Sequence, residues 1–429
     1  MMAMAVTMVL STNAQTVKEM SVREMFELIE QNNRSIQSDS TGVEVARMGV
    51  KAARSQMLPD ISAQLNGSFI GNAVMLDRDF TNAKGMKSPH LGNQFLIDVR
   101  QTIYAGGAIN AGINLAELGV RQAELNLSQS RLNQRFLAIG QYLDLEKIAH
   151  RQQVIESNII LTKQLIDNIN EKHRQGVALK NDVTRYELQL EKLKLSLTQL
   201  QNSRSILNHQ LCNTLGLAVD TKIEPVDDVS IQHFEKEGEE EWQMEAAHMN
   251  PQIQMAGVNE QMMKAKEKLA KSDLLPKVAI VAQNNFNGPI TFELPLIDKN
   301  LDVWFLGVGV QYQLSSLFKS NKKLKQARLE SRQAAERKNV AAEQLNNQVQ
   351  AAYTNYLQSY VELETQQKNV ELAQQNYQVV NNRYLNQLAL ITDMIDASNM
   401  KLEAELNEVD ARINIAYAYY KMKFIAGKL

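Results

Sequence analysis

The sequence predicts a mainly helical chain with a small β part, built as a tandem duplication of helix, strand, loop, strand and long helical hairpin. Three observations carry this. The segment 172–183, Lys-His-Arg-Gln-Gly-Val-Ala-Leu-Lys-Asn-Asp-Val, aligns without a gap on 383–394, 211 residues on. Asn33-Arg34-Ser35-Ile36-Gln37 returns as Asn250-Pro251-Gln252-Ile253-Gln254, and Leu58-Pro59 as Leu275-Pro276, both 217 residues on. Between these landmarks run two long proline-free stretches with apolar residues at alternating spacings of three and four, the pattern of coiled-coil packing.

Residues 1–14 are a compact apolar run ending in small residues and are expected to be a signal peptide cleaved after Ala14. The first repeat, 15–216, opens with a helix over 21–55, in which Met25, Leu28, Ile29, Val43, Ala46, Val50 and Ala53 recur at helical spacing. Leu58-Pro59 ends it. Alternation of Ile61, Ala63, Leu65 and Phe69 against Ser62, Gln64, Asn66 and Ser68 then marks a strand, a polar loop covers 72–93, and Phe95, Ile97, Val99 and Ile103 mark its partner in a β-hairpin over 59–104.

The helical hairpin covers 108–216. Its outgoing half carries Ile159, Thr162, Ile166 and Ile169, and its returning half Val183, Tyr186, Leu190, Leu193, Leu197, Leu200, Leu207 and Leu211. An outgoing helix of about 65 residues is about 100 Å long, more than a globular domain needs. The tip lies near 174–182, with Asp182 expected as N-cap of the returning helix and Gly176 supplying the reversal. A segment over 217–245, with Pro225 and an acidic run, reads as a solvated linker.

The second repeat, 246–429, follows the same order: a helix, a β-hairpin over 276–314 and a helical hairpin over 317–426 with its tip near 385–393. Val370, Ala373, Tyr377, Val380 and Tyr384 stand 211 residues after Ile159, Thr162, Ile166, Ile169 and His173. Asp393 is again the expected N-cap, and Asn386 the residue expected to take the left-handed conformation.

Four strands are too few for a membrane barrel, which needs at least eight in a closed ring, so the strands either form an open sheet or are shared among copies of the chain. Phe69, Phe95, Ile97, Val278, Ile280, Phe286, Trp304, Leu306, Val308 and Val310 make up the apolar, lipid-facing set; Gln64, Asn66, Asp98, Arg100, Gln283 and Asn285 are offered to a wet interior. Sharing fits these faces better than packing on a soluble helical core does.

Several function classes are excluded. A formal charge of −2 argues against a nucleic-acid binder. One cysteine, Cys212 between Leu211 and Leu215, excludes a disulfide framework and reads as a packing residue. The six histidines are scattered with no His-x-x-x-His spacing, and no P-loop, GxGxxG or GxSxG occurs; no metal, cofactor or catalytic constellation is expected, and the chain is not read as an enzyme.

The order of Leu58-Pro59 and Leu275-Pro276, the strand-to-helix turns Ile103-Tyr104-Ala105-Gly106-Gly107 and Leu317-Phe318, and the tips 176–182 and 388–397 resembles the TolC family of outer-membrane efflux proteins over nearly the whole chain. The resemblance implies a homotrimer in the outer membrane with a long periplasmic extension: a shared 12-stranded β-barrel continued by a trimeric α-helical tunnel. It also implies a periplasmic adaptor (membrane fusion) protein and an inner-membrane pump of RND or ABC type as partners, passive expulsion of drugs or other small molecules, and no nucleic acid. Type I protein secretion fits the same resemblance, and a soluble coiled-coil scaffold is the reading of another class. By the same resemblance Asp182, Tyr384, Asp393 and Asp396 form the periplasmic aperture, and Gly176, Val177, Ala178, Leu179, Leu388, Ala389 and Leu390 the adaptor-docking tips. The family's arginine at the position of Ala389 is absent.

Overall fold

The first helical stretch breaks where the sequence repeats itself. In the computed structural model, which describes residues 17–226, 229, 238–293 and 296–429, α1 (Val22–Asn32) and α2 (Arg34–Ser55) are separate helices. Asn33 divides them: its Oδ1 accepts from the backbone N–H groups of Ser35 and Ile36 at 3.0 and 3.3 Å, satisfying donors that a helix start leaves unpaired. Asn250 does the same between α5 (Glu239–Met249) and α6 (Pro251–Ser272), accepting from Gln252 N–H at 2.8 Å, with Pro251 at the first helical position, where its missing N–H costs nothing. The expected signal peptide, residues 1–14, lies outside the described residues, as does the 230–237 part of the expected linker.

The remaining elements follow in the expected order, with additions. The strands are β1 (Val17–Met20), β2 (Asp60–Phe69), a small β3–β4 hairpin (Ala73–Met75, Lys84–Met86) inside the expected polar loop, and β5 (Leu91–Ala105). Then come α3 (Ala108–Arg174), α4 (Lys180–Leu215), β6 (Lys222–Pro225), β7 (Lys277–Gly288), β8 (Leu301–Gln311), α7 (Ser316–Leu385) and α8 (Ile391–Ala426). The expected linker is thus partly structured: β6 pairs in parallel with β1, and 239–245 is already helical. No helix among the described residues is long and apolar enough to cross a membrane.

The chain divides into two spatial units, and neither is a sequence repeat: one comprises 1–41, 125–254 and 340–429, the other 42–124 and 255–339. In the first unit Met20, Met25, Ile29, Tyr142, Leu143, Leu211, Cys212, Leu215 and Ile223 form one core, in which the Cys212 thiol, pushed up in pKa by burial, lies 3.2 Å from the Thr221 carbonyl. A second core gathers Trp242, Val349, Tyr356 and Met422. Each repeat locks its opening helix to the end of its own hairpin: Asn33 Nδ2 donates to the Thr214 carbonyl and Asn250 Nδ2 to the Ile425 carbonyl, both at 2.9 Å. Beside each lock a left-handed glycine ends the returning helix, Gly216 at φ 66° and Gly427 at φ 78°. A Cβ there would lie 2.7 Å from Asn32 Cβ or 2.8 Å from the Met249 carbonyl oxygen.

In the second unit β2, β5, β7 and β8 form one four-stranded antiparallel sheet in that order, so the two hairpins are joined through β5 and β7. Gly106 and Gly107, at φ 65° and 84°, turn β5 sharply into α3. Helices α2 and α3 run antiparallel with the ion pairs Arg47–Glu124 and Arg54–Glu117, and α6 and α7 with Lys338–Glu260, Arg328–Glu267 and Lys323–Asp273.

Candidate functional site

Two places concentrate the expected functional residues: the hairpin tips in the first unit and the sheet in the second. At the first tip α3 ends in a Schellman turn, Val177 N–H bonding to the Lys172 carbonyl and Gly176 N–H to that of His173, both at 2.9 Å. Gly176 takes φ 77°. The second tip repeats the turn, with Leu388 N–H on the Arg383 carbonyl at 2.7 Å and Gln387 N–H on that of Tyr384 at 3.1 Å. Gln387, at φ 63°, is the left-handed residue, not Asn386. It stands in register with Gly176, and the closing hydrogen bonds fix the conformation at that position whatever its side chain.

The expected N-caps are also displaced. Leu179 and Leu390 occupy the N-cap positions, and Asp182 and Asp393 stand three residues later. Each carboxylate reaches back to the N-cap N–H, at 3.1 Å for Asp182 and 3.0 Å for Asp393. This is the returning half of a capping box; leucine has no acceptor for the other half, so the acid is the one side-chain cap each returning helix has.

Below the tips Leu165, Ile166, Ile169, Val183, Tyr186, Tyr377, Ile391, Met394 and Ala397 close a core shared by both hairpins. Burial pushes up the hydroxyl pKa values of Tyr186 and Tyr377, Ser398 partly opposing this at Tyr186. Polar bridges tie the hairpins further along: Arg151 Nη1 donates to both carboxylate oxygens of Asp410 at 3.1 and 3.2 Å, Asn158 donates to Glu405 at 3.0 Å and Gln189 to Asn399 at 2.6 Å.

A cleft of about 360 Å³ opens between the two tips, lined by Lys172, Val177, Ala178, Leu179, Asp182, Arg185, Tyr384, Ala389 and Leu390 among others. Asp182 and Tyr384 are therefore brought together. The Tyr384 hydroxyl is held above its ordinary value first by burial and then by the Asp182 charge, and the Lys172 ammonium sits 4.7 Å from the Tyr384 ring centroid. Asp393 and Asp396 do not line this cleft; they are exposed one turn apart on α8. Leu179, Leu388 and Leu390 are about 70% exposed, large apolar side chains with nothing over them. The contacts of Lys172 and Asn33 were not foreseen, although Asn-Pro at 250–251 carried the signal for the helix break.

The sheet register sorts the strand residues into two faces. Directly paired residues share a face, so Leu65–Phe95–Phe286, Ala63–Ile97–Asn284–Trp304, Ile61–Val99–Ala282–Leu306, Ile280–Val308 and Val278–Val310 form successive rows of one face, which Phe69 joins at its far end. All ten residues of the apolar set thus lie on that face. Polar residues interrupt it at Gln101, paired with Ile280, and near the rim, where Asn284 donates to Asp302 at 2.7 Å. The opposite face holds the rows Asp60–Arg100–Val281, Ser62–Asp98–Gln283–Phe305, Gln64–Leu96–Asn285–Val303 and Asn66–Gln94–Asn287. Every residue of β2 and all but Leu301 of β8 are exposed, and these two strands are the open edges of the sheet. Among the described residues no group of three or more His, Cys, Asp or Glu side chains is placed to hold a metal.

Comparison with known proteins agrees with this architecture. Solved structures with the same fold include the outer-membrane channel OprN (16% identity, TM-score 0.77, 95% of this chain and 90% of that one). They also include the outer membrane protein VceC from Vibrio cholerae (14%, 0.77, 95% and 96%) and CusC (12%, 0.79, 94% and 91%), whose crystal structures are described in terms of transmembrane channel formation. No curated protein sequence matches the chain. Residues 242–428, the second repeat, match the model of the outer membrane efflux protein family.

Proposed function

We propose that three copies of this chain close a 12-stranded barrel in the outer membrane, continued by their helical hairpins as a tunnel, and that the assembly is the passive exit duct of an efflux system. The observation that carries this is the sheet. It has one mainly apolar and one mainly polar face, two unpaired edges, and outer strands exposed on both faces. An open edge beside an exposed apolar face is an aggregation hazard in water, and pairing β8 of one copy with β2 of the next removes both edges. The apolar face then meets lipid and the polar face water. The family-model match over 242–428 and the likeness to the fold of solved outer-membrane channels support the same reading.

In this assembly Asp182, Tyr384, Asp393 and Asp396 stand at the periplasmic aperture, where threefold symmetry repeats the acids as rings. The exposed Leu179, Leu388 and Leu390, with Gly176, Val177, Ala178 and Ala389, form the surface on which a periplasmic adaptor docks, and an inner-membrane pump delivers drugs or other small molecules to it. The duct has no catalytic work to do.

The test is recovery of a heat-modifiable trimer from outer-membrane fractions, combined with face-specific substitution. Val308→Arg, on the apolar face, should cost about 2 to 4 kcal/mol at mid-bilayer depth and lower trimer yield. Gln283→Arg, on the opposite face, should assemble normally. Equal yields from the two variants would overturn the assignment of faces, and recovery in the soluble fraction would overturn the duct.

A further inference from the structure

The polar face of the sheet carries an amide track. Gln64 Nε2 donates to Asn66 Oδ1 at 3.4 Å, Asn66 Nδ2 to Gln94 Oε1 at 3.2 Å and Gln94 Nε2 to Asn285 Oδ1 at 3.3 Å, a run of hydrogen bonds across β2, β5 and β7. The two rows that hold these residues contain no ionisable side chain. The charges of this face lie nearer the helices: two acids, Asp60 and Asp98, and two bases, Arg100 and Lys277, with Asp60 directly opposite Arg100. The face is therefore mainly polar on β2, β5 and β7, apolar at Phe305, Val303 and Leu301 on β8, and balanced in charge.

Side-chain amides present both donors and acceptors and bear no net charge, so they hydrate a wall without attracting ions of either sign. Rings of like charge do the opposite and select by sign. Resting on the three-copy barrel proposed above, we infer that the barrel wall is charge-blind. The solute class it accepts is any water-soluble molecule that fits, anionic, cationic or neutral.

Single trimers in planar lipid bilayers under a salt gradient test this through the reversal potential. The quadruple variant Asp60→Asn, Asp98→Asn, Arg100→Gln, Lys277→Gln should match the unsubstituted protein. Arg100→Gln with Lys277→Gln should raise cation preference, and Asp60→Asn with Asp98→Asn should raise anion preference. A quadruple variant that departs from the parent overturns charge balance. Half-variants that leave the potential unmoved overturn instead the water-facing assignment, and with it the barrel reading. If the quadruple variant does not assemble, Gln94→Glu and Gln94→Lys decide: shifts of opposite sign and comparable factor sustain the inference, and a shift from only one of them refutes it.

Discussion

The two hairpin tips share a backbone and differ in chemistry. Both close with the same pair of hydrogen bonds, both start the returning helix at a leucine, and both cap it with an aspartate three residues on. Yet Gly176 faces Gln387 across the duplication, His173 faces Tyr384, and Arg185 faces Asp396. The turn geometry, the capping aspartate and the exposed Leu179 and Leu390 are preserved, and the positions changed alter the charge and ring chemistry around them. A duplicated fold can thus keep one path while its two copies take up different tasks.

The largest effect that would break this equivalence lies at the left-handed glycines ending the two hairpins. Gly216→Ala and Gly427→Ala each add a Cβ at positive φ into contacts of 2.7 and 2.8 Å, and each should cost more than the roughly 1 to 2 kcal/mol of left-handed strain alone, read as a lower midpoint of chemical unfolding. Similar losses at both sites are expected; tolerance at one would mean that one repeat has relaxed its lock.

Next comes alkaline stability, a property of the shared core beneath the tips. Tyr186, Tyr377 and Tyr384 have folded-state pKa values above the ordinary tyrosine value, so the folded state holds protons that the unfolded chain releases. Their contribution is intact below about pH 10 and is lost as pH rises through the folded values. The fold should weaken steeply above that pH, and Tyr377→Phe should flatten the fall in a thermal-melt pH series.

Asp182→Ala and Asp393→Ala should each cost roughly 0.3 to 1 kcal/mol, since each removes the one side-chain cap and a favourable charge at a helix start. The effect should appear as faster proteolysis at the tips, equal in the two repeats. Smallest is Gln387→Gly, which relieves the left-handed strain and should stabilise the second tip by no more than about 1 kcal/mol, detectable as slower amide exchange there.

Most of the fold was legible in the sequence because the duplication made weak signals confirm one another. Asp182 and Asp393 were recognised as helix-start residues but placed three positions early, since an aspartate at the N-cap and one three residues later leave the same compositional trace. The left-handed Gln387 was missed because glutamine carries no mark of that conformation; only its alignment with Gly176 pointed to it. Strands β1 and β6 are four residues each, too short for alternation to show, and they pair across about 200 residues of chain. The Asp182–Tyr384 neighbourhood came from family resemblance, whereas Lys172 over the Tyr384 ring depends on a packing angle that no pattern in the chain records.

The mixing of repeats within each spatial unit bears on how the protein is made. Phe95 pairs with Phe286, so the centre of the sheet joins segments 191 residues apart in the chain. A two-stranded hairpin is marginal alone, and contacts so distant in sequence form slowly. The first β-hairpin must therefore wait, with its apolar face uncovered, until more than three hundred residues have emerged. Throughout that interval the nascent chain carries an adhesive ribbon with nothing native to pair with, and its yield in the cell depends on what shields that ribbon before the second repeat arrives.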